Sequence, residues 1–458
     1  MEVKENKMGT MPIGKLLLTM SGPAIFSMLI NALYNIIDSI FVAQVGEDAL
    51  TAVSIAFPVQ MLLIAMGVGT GVGINSLISR RLGAKRFEEA NNAASTGIKL
   101  GILNWLIFAI FGIFFVEPFM KIFSSDANII QCGVQYLSIV TIFSIFSMTG
   151  LLIEKIFQST GNMIYPVTTM IVGAVVNTIC DPILIFGLLG FPKMGVAGAA
   201  IATVFAQFVS CALGLFLLMT KEKNLDVKVF SLDIHLQTVK EIYAVGAPSI
   251  VMQAIGSFML FGMNAILAAF SSTAVAVLGI YGKLQSFVFM PSIGVNQGAL
   301  PVMGYNYGAR NKERMMRTYK LATIAAMVIM AVGFVIFQAF PGVLLKMFNA
   351  APGTDMYKIG IDALRSISLC FIPAGFGIIT AGLFQATGHG MMSMWGSLIR
   401  QFAGILPIAF IFGKLFGLRM VWFAFPLAEV IGVIYYSFML KYIYNKTFKN
   451  MGCENDDK

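Results

Sequence analysis

The sequence predicts an all-α polytopic membrane protein with twelve transmembrane helices in two six-helix bundles, and three observations carry that prediction. Of 458 residues, 58% are hydrophobic and only 12% charged, with a mean hydropathy of +0.83, whereas soluble chains carry about 25% charged residues. Apolar stretches repeatedly reach the ~20 residues a helix needs to cross a bilayer. A shift of 225 residues superimposes the first half of the chain on the second.

The apolar runs, broken by charge, Gly and Pro clusters, place spans near 13–45, 50–79, 94–117, 131–159, 162–189 and 194–220. The first follows the polar start MEVKENKMGTMPIGK and stops at Gly46. The second closes at the basic SRR, and the third opens after RFEEA. The fourth ends before Gly161-Asn162, the fifth at Gly190, and the sixth at the KEK of 221–223. The other six fall near 239–270, 274–304, 318–341, 358–386, 389–413 and 418–444, bounded in the same way. Strands in lipid need a closed barrel to satisfy their backbones, and these runs are too long and too uniformly apolar for barrel strands. They are therefore helices. The expected domains are an N-lobe (1–220), a linker (221–238), a C-lobe (239–445) and a tail (446–458).

The +9 formal charge is not a nucleic-acid signature, because the basic residues sit in alternate loops. The N-terminal segment, SRRLGAKRFEEA, the central loop 221–241, GARNKERMMRTYK and the C-terminal segment from Lys441 hold 20 of the 31 Lys and Arg; the intervening loops hold six. The positive-inside rule then puts both termini in the cytoplasm, which requires an even number of spans. The N-terminus carries no pattern of a cleaved signal. Five unpaired-looking cysteines and two loop histidines suggest neither disulfides nor a metal site.

In the duplication, Lys15 meets Lys240, Pro23 meets Pro248, Gln60 meets Gln285, Gly69 meets Gly294 and Gly73 meets Gly298. After a two-residue slip, FQSTG at 157–161 meets FQATG at 384–388. Six spans per copy give both halves the same topology: parallel repeats about an axis along the membrane normal, an arrangement suited to alternating access.

Charges inside spans are costly, about 2.5–3.5 kcal/mol each on insertion scales, and point to function. Asp38 lies eight residues before Gly46, and Asp181 nine before Gly190. A rise of 1.5 Å per residue puts both roughly 12–14 Å below the outer surface. Two acids at one depth of one lobe can share a pocket, with Tyr34 and Asn177 one turn from each on the same helix faces. Two carboxylates in one buried pocket do not readily both stay ionised, as a site that takes up and releases a cation requires. The second half has Met263 where the first has Asp38; its intramembrane charges are Lys283, Arg400 and Glu429. Arg400 and Glu429, of opposite sign near the midplane, read as a structural ion pair, and Lys283 as a cavity-lining or snorkelling residue. Glu154, Lys155 and Lys99 read as edge charges. MGVGTGVG at 66–73 fits no phosphate-loop register; it lies in an apolar helix, where small residues permit close packing, and an ATP-driven pump is excluded.

Five motifs together resemble one family. NIIDSIFVAQVGEDALTAVSIAFP covers the first two spans, and RRLGAKRFEEA follows them. FQSTGN follows the fourth, NTICDPILIFG lies on the fifth and MGVAGAAIAT opens the sixth. They resemble the multidrug and toxic compound extrusion (MATE) transporters, in particular the DinF/MepA-like bacterial branch, over about residues 13–445. The resemblance implies a V-shaped pair of lobes and a monomeric, non-enzymatic antiporter of the cytoplasmic membrane, exporting hydrophobic organic cations against protons or sodium. By motif position it implies an N-lobe cation site at Asp38, Asn177, Asp181 and Thr203, and a helix bend at Pro23. The C-lobe stretches VMQAIGSF and IPAGFGIITAGLFQ hold no acid, which argues against a C-lobe ion site of the family's other branch. No cofactor is implied beyond the transported H+ or Na+. A lipid-linked saccharide flippase of the same superfamily is the alternative, and it would want a more cationic cavity. A major-facilitator carrier is disfavoured because SRRLGAKRFEEA lacks the Asp-Arg signature of that fold.

Overall fold

The computed structural model describes residues 6–222, 224–227, 235–348 and 350–451; the side chains of residues 34–40, 42 and 43 lie outside the described set. The first six predicted spans are α1 (Ile13–Ala43), α2 (Glu47–Gly83), α3 (Phe87–Phe114), α4 with α5 (Ala127–Ile142, Ile145–Ser159), α6 (Ile164–Phe186) and α7 (Gly195–Lys221). The second six are α8 (Leu236–Ala268), α9 (Ser272–Gly308), α10 (Lys312–Ala339), α11 with α12 (Asp355–Ser368, Phe371–Ala386), α13 (Gly390–Phe416) and α14 (Leu418–Phe448). Among the described residues, ten helices are long and apolar enough to cross a membrane, and twelve spans result when each bent pair counts as one. The helices start where the sequence supplies caps. Asp126 accepts from the backbone N–H groups of Asn128 and Ile129, Ser271 from Ala274, and Thr354 from Tyr357. These bonds satisfy donors that a helix start leaves open.

The fourth span of each repeat is broken, by 45° between α4 and α5 and by 47° between α11 and α12. At the second break Pro373 has no N–H to give the Leu369 carbonyl four residues back. At the first, which holds neither Gly nor Pro, hydroxyls bond backward: Thr141 donates to the carbonyl of Leu137, Ser144 to that of Thr141, and Ser147 to that of Ser144. In the second repeat Ser368 donates to the Arg365 carbonyl, which also accepts from Gln338 Nε2 at 2.8 Å. Side chains that bond back to the helix carbonyls compete with the helix ladder and bend it.

The chain packs as two compact units that differ from the lobes drawn at the linker. One comprises Phe26–Ile250; the other joins the residues up to Ile25 to those from Val251 onward. The boundary therefore cuts α1 and α8 in mid-helix. The reason lies in four repeat-related glycines. A Cβ on Gly294 would lie 2.8 Å from Ile25 Cα, and one on Gly298 would lie 2.7 Å from the Ser21 nitrogen. In the other unit, a Cβ on Gly69 would lie 2.7 Å from the Ile250 nitrogen, and one on Gly73 would collide with the Ile242 carbonyl. Small residues let helix backbones touch, so the first part of α1 seats on α9 and the first part of α8 on α2. Ser21 Oγ donates to the Val295 carbonyl across the first of these seats, at 3.4 Å.

The start of the chain is also fastened. Arg314 donates to the carbonyls of Met8 and Met11 (3.2 and 2.8 Å), and Asn306 Nδ2 to that of Met8 (3.2 Å). They hold a short helix, Lys7–Thr10, whose burial keeps the Lys7 ammonium below its usual pKa range. Replacing Arg314 by Met is expected to release this segment, so that trypsin cuts after Lys7 several-fold faster than in the wild-type chain, as followed by mass spectrometry of the intact protein.

Candidate functional site

The polar centre of the unit Phe26–Ile250 lies on α6 and α7. Asp181 is fully buried and Asn177 is 1% exposed, one turn apart on α6. With the Asn177 amide turned to satisfy both its ends, its nitrogen donates to Asp181 Oδ2 at 2.7 Å and its oxygen accepts from the Thr203 backbone N–H at 3.2 Å. Pro182, directly after Asp181, removes the intrahelical donor that would reach the Thr178 carbonyl. A carboxylate, a side-chain amide and a hydroxyl residue thus converge inside an apolar bundle, five residues before α6 ends at Phe186. Oxygen ligands of this kind suit a proton or a hard cation.

Of the residues that the sequence assigns to this site, the structure brings Asn177, Asp181 and Thr203 together. The side chains of Asp38 and Tyr34 lie outside the described residues; their backbone belongs to α1. Phe41, three residues beyond Asp38, meets the ring of Phe186 edge-on at 6.5 Å between centroids. Both phenylalanines pack on a small core of Ile185 and Ala199. The C-terminal ends of α1 and α6 are therefore neighbours. Pro23 lies inside α1, half-buried and two residues before the Ile25 seat.

A second polar group occupies the same unit and is not evident from sequence. Tyr243 Oη donates to Asn104 Oδ1 (3.1 Å), and Asn104 Nδ2 donates to Thr70 Oγ1 (3.1 Å), linking α8, α3 and α2. Lys99 and Lys155, read as edge charges, are buried. Lys155 Nζ donates to Gln158 Oε1 at 3.0 Å, and its stem lies against Gly71. The missing side chain at Gly71 makes room for a buried lysine, a relation between helices that no spacing within one helix reveals.

In the other unit the expected ion pair is present. Arg400 Nη1 donates to Glu429 Oε2 at 3.0 Å. Arg400 lies in a π-helical segment of α13, Leu398–Ile405, which contains Gly404 and runs up to Pro407. Lys283 is exposed on α9, with its ammonium 6.0 Å from the centroid of the Phe348 ring. Phe348 follows the short helix Pro341–Lys346.

A helical membrane protein built from two repeats of six spans, with a buried carboxylate site in the first, defines a secondary-transporter class. The sequence profile of the MatE family matches residues 23–183 and 248–432, and the chain belongs to that family of transporters. It is 25% identical over 423 residues to a FAD transporter from Shewanella oneidensis, with 92% of each chain covered. It is 26% identical over 420 residues to the multidrug export protein MepA of Staphylococcus haemolyticus, covering 92% of this chain and 91% of that one. An outward-facing multidrug resistance MATE transporter structure superimposes with a TM-score of 0.90 at 25% identity, covering 98% of this chain and 99% of that one. Together these relations support the MepA-like branch.

Proposed function

We propose that the protein is a secondary active antiporter that exports hydrophobic organic cations across the cytoplasmic membrane in exchange for protons or sodium. The observation that carries this reading is the buried Asp181–Asn177–Thr203 group. A fully buried carboxylate on helices that span the bilayer is costly and points to a function such as cation exchange. Asp38, on the helix whose outer end packs beside α6 through Phe41 and Phe186, would complete the pocket.

In this mechanism the pocket loads a proton or sodium ion from outside, which neutralises the carboxylates and lets α1 bend near Pro23. The changed volume and charge of the lobe lower its affinity for the drug, which leaves outward. The protein then resets, carrying the coupling ion inward, with both termini cytoplasmic and one chain sufficient. It does no covalent chemistry and needs no cofactor. The relative named a FAD transporter makes an anionic dinucleotide a second class of cargo worth testing, and the exposed Lys283 is the residue that would favour it.

The decisive measurement uses purified protein in proteoliposomes, with ethidium as cargo and proton and sodium gradients imposed separately. Ethidium movement driven by one gradient and not the other is expected; movement driven by neither sinks the antiport reading. A flippase would instead move lipid-linked pyrophosphate and leave ethidium still.

A further inference from the structure

The Arg400–Glu429 pair has the build of something more than a brace. Glu429 is 4% exposed, yet only one of its oxygens is bonded: Oε2 accepts from Arg400, and the buried Oε1 has no hydrogen-bond partner. Arg400 Nε is likewise buried and unpartnered, as is the hydroxyl of Tyr281 on α9. Tyr281 is placed beside α14 by its edge-on contact with Phe425, one turn before Glu429, and its hydroxyl feels both the Glu429 carboxylate and the Arg400 guanidinium. Buried polar atoms are almost always bonded, and each exception needs an explanation.

The surroundings are shaped for the pair. A Cβ on Gly377 of α12 would lie 3.4 Å from Glu429 Oε1, and one on Gly432 would lie 3.3 Å from Arg400 Cδ. The other titratable groups that share the field are few: Cys370, between α11 and α12, and Tyr436, two turns further along α14. Neither is cationic; among the described residues the cation bonded to Glu429 is Arg400.

We propose that Glu429 is a second proton-binding carboxylate, in the unit opposite to that of Asp181, and that Arg400 controls it by engaging or leaving Oε2. The two partners are unequal. A separated Arg400 keeps its charge, because a guanidinium does not give up its proton, while the Glu429 side chain is 5% exposed and stays inside. A carboxylate left alone in a low-dielectric interior takes a proton. The proton adds to the free oxygen Oε1, in the same buried field as the unpartnered hydroxyl of Tyr281. Arg400 is on a segment able to move: π-helical turns carry one residue more than an α-turn and recur at functional sites. The closed pair is thus the proton-empty state, and the open pair the proton-loaded one. This deepens the antiport reading by adding a coupling group, but the proton site is tested without transport.

Infrared spectroscopy of the purified, lipid-reconstituted protein reads the carbonyl stretch of protonated carboxylic acids directly. The variant Arg400→Met is expected to display, at neutral pH, a protonated-carboxyl band absent from wild type and abolished in Arg400→Met/Glu429→Gln. Arg400→Lys, which keeps the charge, is expected to lack it. No such band in folded, monodisperse Arg400→Met overturns the proposal. Should that variant not accumulate, wild type is titrated with acid. A band component removed by Glu429→Gln and retained by Asp181→Asn supports the proposal, and its absence throughout the range in which the protein stays monodisperse overturns it. If the Glu429 band behaves as expected while ethidium follows neither ion gradient, the antiport reading fails and the proton site stands.

Discussion

Asp181→Asn is expected to reduce ethidium efflux at least tenfold at unchanged protein level, the largest functional effect of any single substitution in the chain. The change keeps shape and volume but removes the charge. The Asn177 amide nitrogen, 2.7 Å from Oδ2 when both its ends are satisfied, would then face an amide that offers one acceptor instead of two. If the carboxylate were only a structural hydrogen-bonder, the loss would appear as lower yield or thermal stability, with transport per molecule intact. If it binds the coupling ion, protein accumulates normally and the ion gradient no longer drives cargo. The measurement is efflux from cells and from proteoliposomes, normalised to protein quantified by blot. Full activity of Asp181→Asn at wild-type levels would remove Asp181 from the mechanism.

The largest structural effect is expected at the helix seats. Gly73→Val and Gly298→Val place a branched side chain where a single Cβ already meets backbone, the Ile242 carbonyl in one case and the Ser21 nitrogen in the other. Overpacking a core costs about 1–3 kcal/mol when side chains can shift. Backbone cannot shift without moving a whole helix, so the upper end of that range or beyond is expected. Both variants should accumulate poorly and, where purified, melt well below wild type in a fluorescence-detected thermal assay. Because the two glycines are repeat-related, the deficits should be similar. A Gly73→Val protein as stable as wild type would show that the seat is not close-packed in the membrane.

Much of this was legible in the sequence, for identifiable reasons. Lipid forces backbone bonds inside each helix, so span positions follow from hydropathy, and the twelve expected spans correspond to the observed helices and bent pairs. The pairing of Asn177 with Asp181 follows from one-turn spacing, and that of Arg400 with Glu429 from opposite charge at matched depth. What was hidden depends on contacts between segments far apart in the chain. The break at Ser144 comes from hydroxyls bonding backward, residues that elsewhere sit quietly in helices, whereas the one after Ser368 has Pro373 to mark it. The π-helical turn around Arg400 holds Gly404 and is followed by Pro407, residues that mark a weakened helix ladder without saying which irregularity results. Lys155 is buried because Gly71 on another helix yields space, and Lys283 turns to Phe348, 65 positions away. The duplication itself was plain at Gly69 and Gly294, but not that each glycine would receive a helix from the other half of the sequence.

The seating of the first helix on Gly294 and Gly298 has a consequence in time. Ser21 reaches the carbonyl of Val295, a partner 274 residues later. At about 5–20 residues per second of synthesis, the start of α1 emerges and enters the bilayer roughly ten to sixty seconds before its seat exists. The first part of α8 meets the opposite situation, since Gly69 and Gly73 are already made when Ile242–Ile250 arrive. One unit can close as its last residue is threaded in, whereas the other must keep its opening segment waiting. An insertion factor or chaperone that shields α1 during that interval would be recruited by the order of translation itself, and slowing synthesis across residues 251–295 should lengthen its stay.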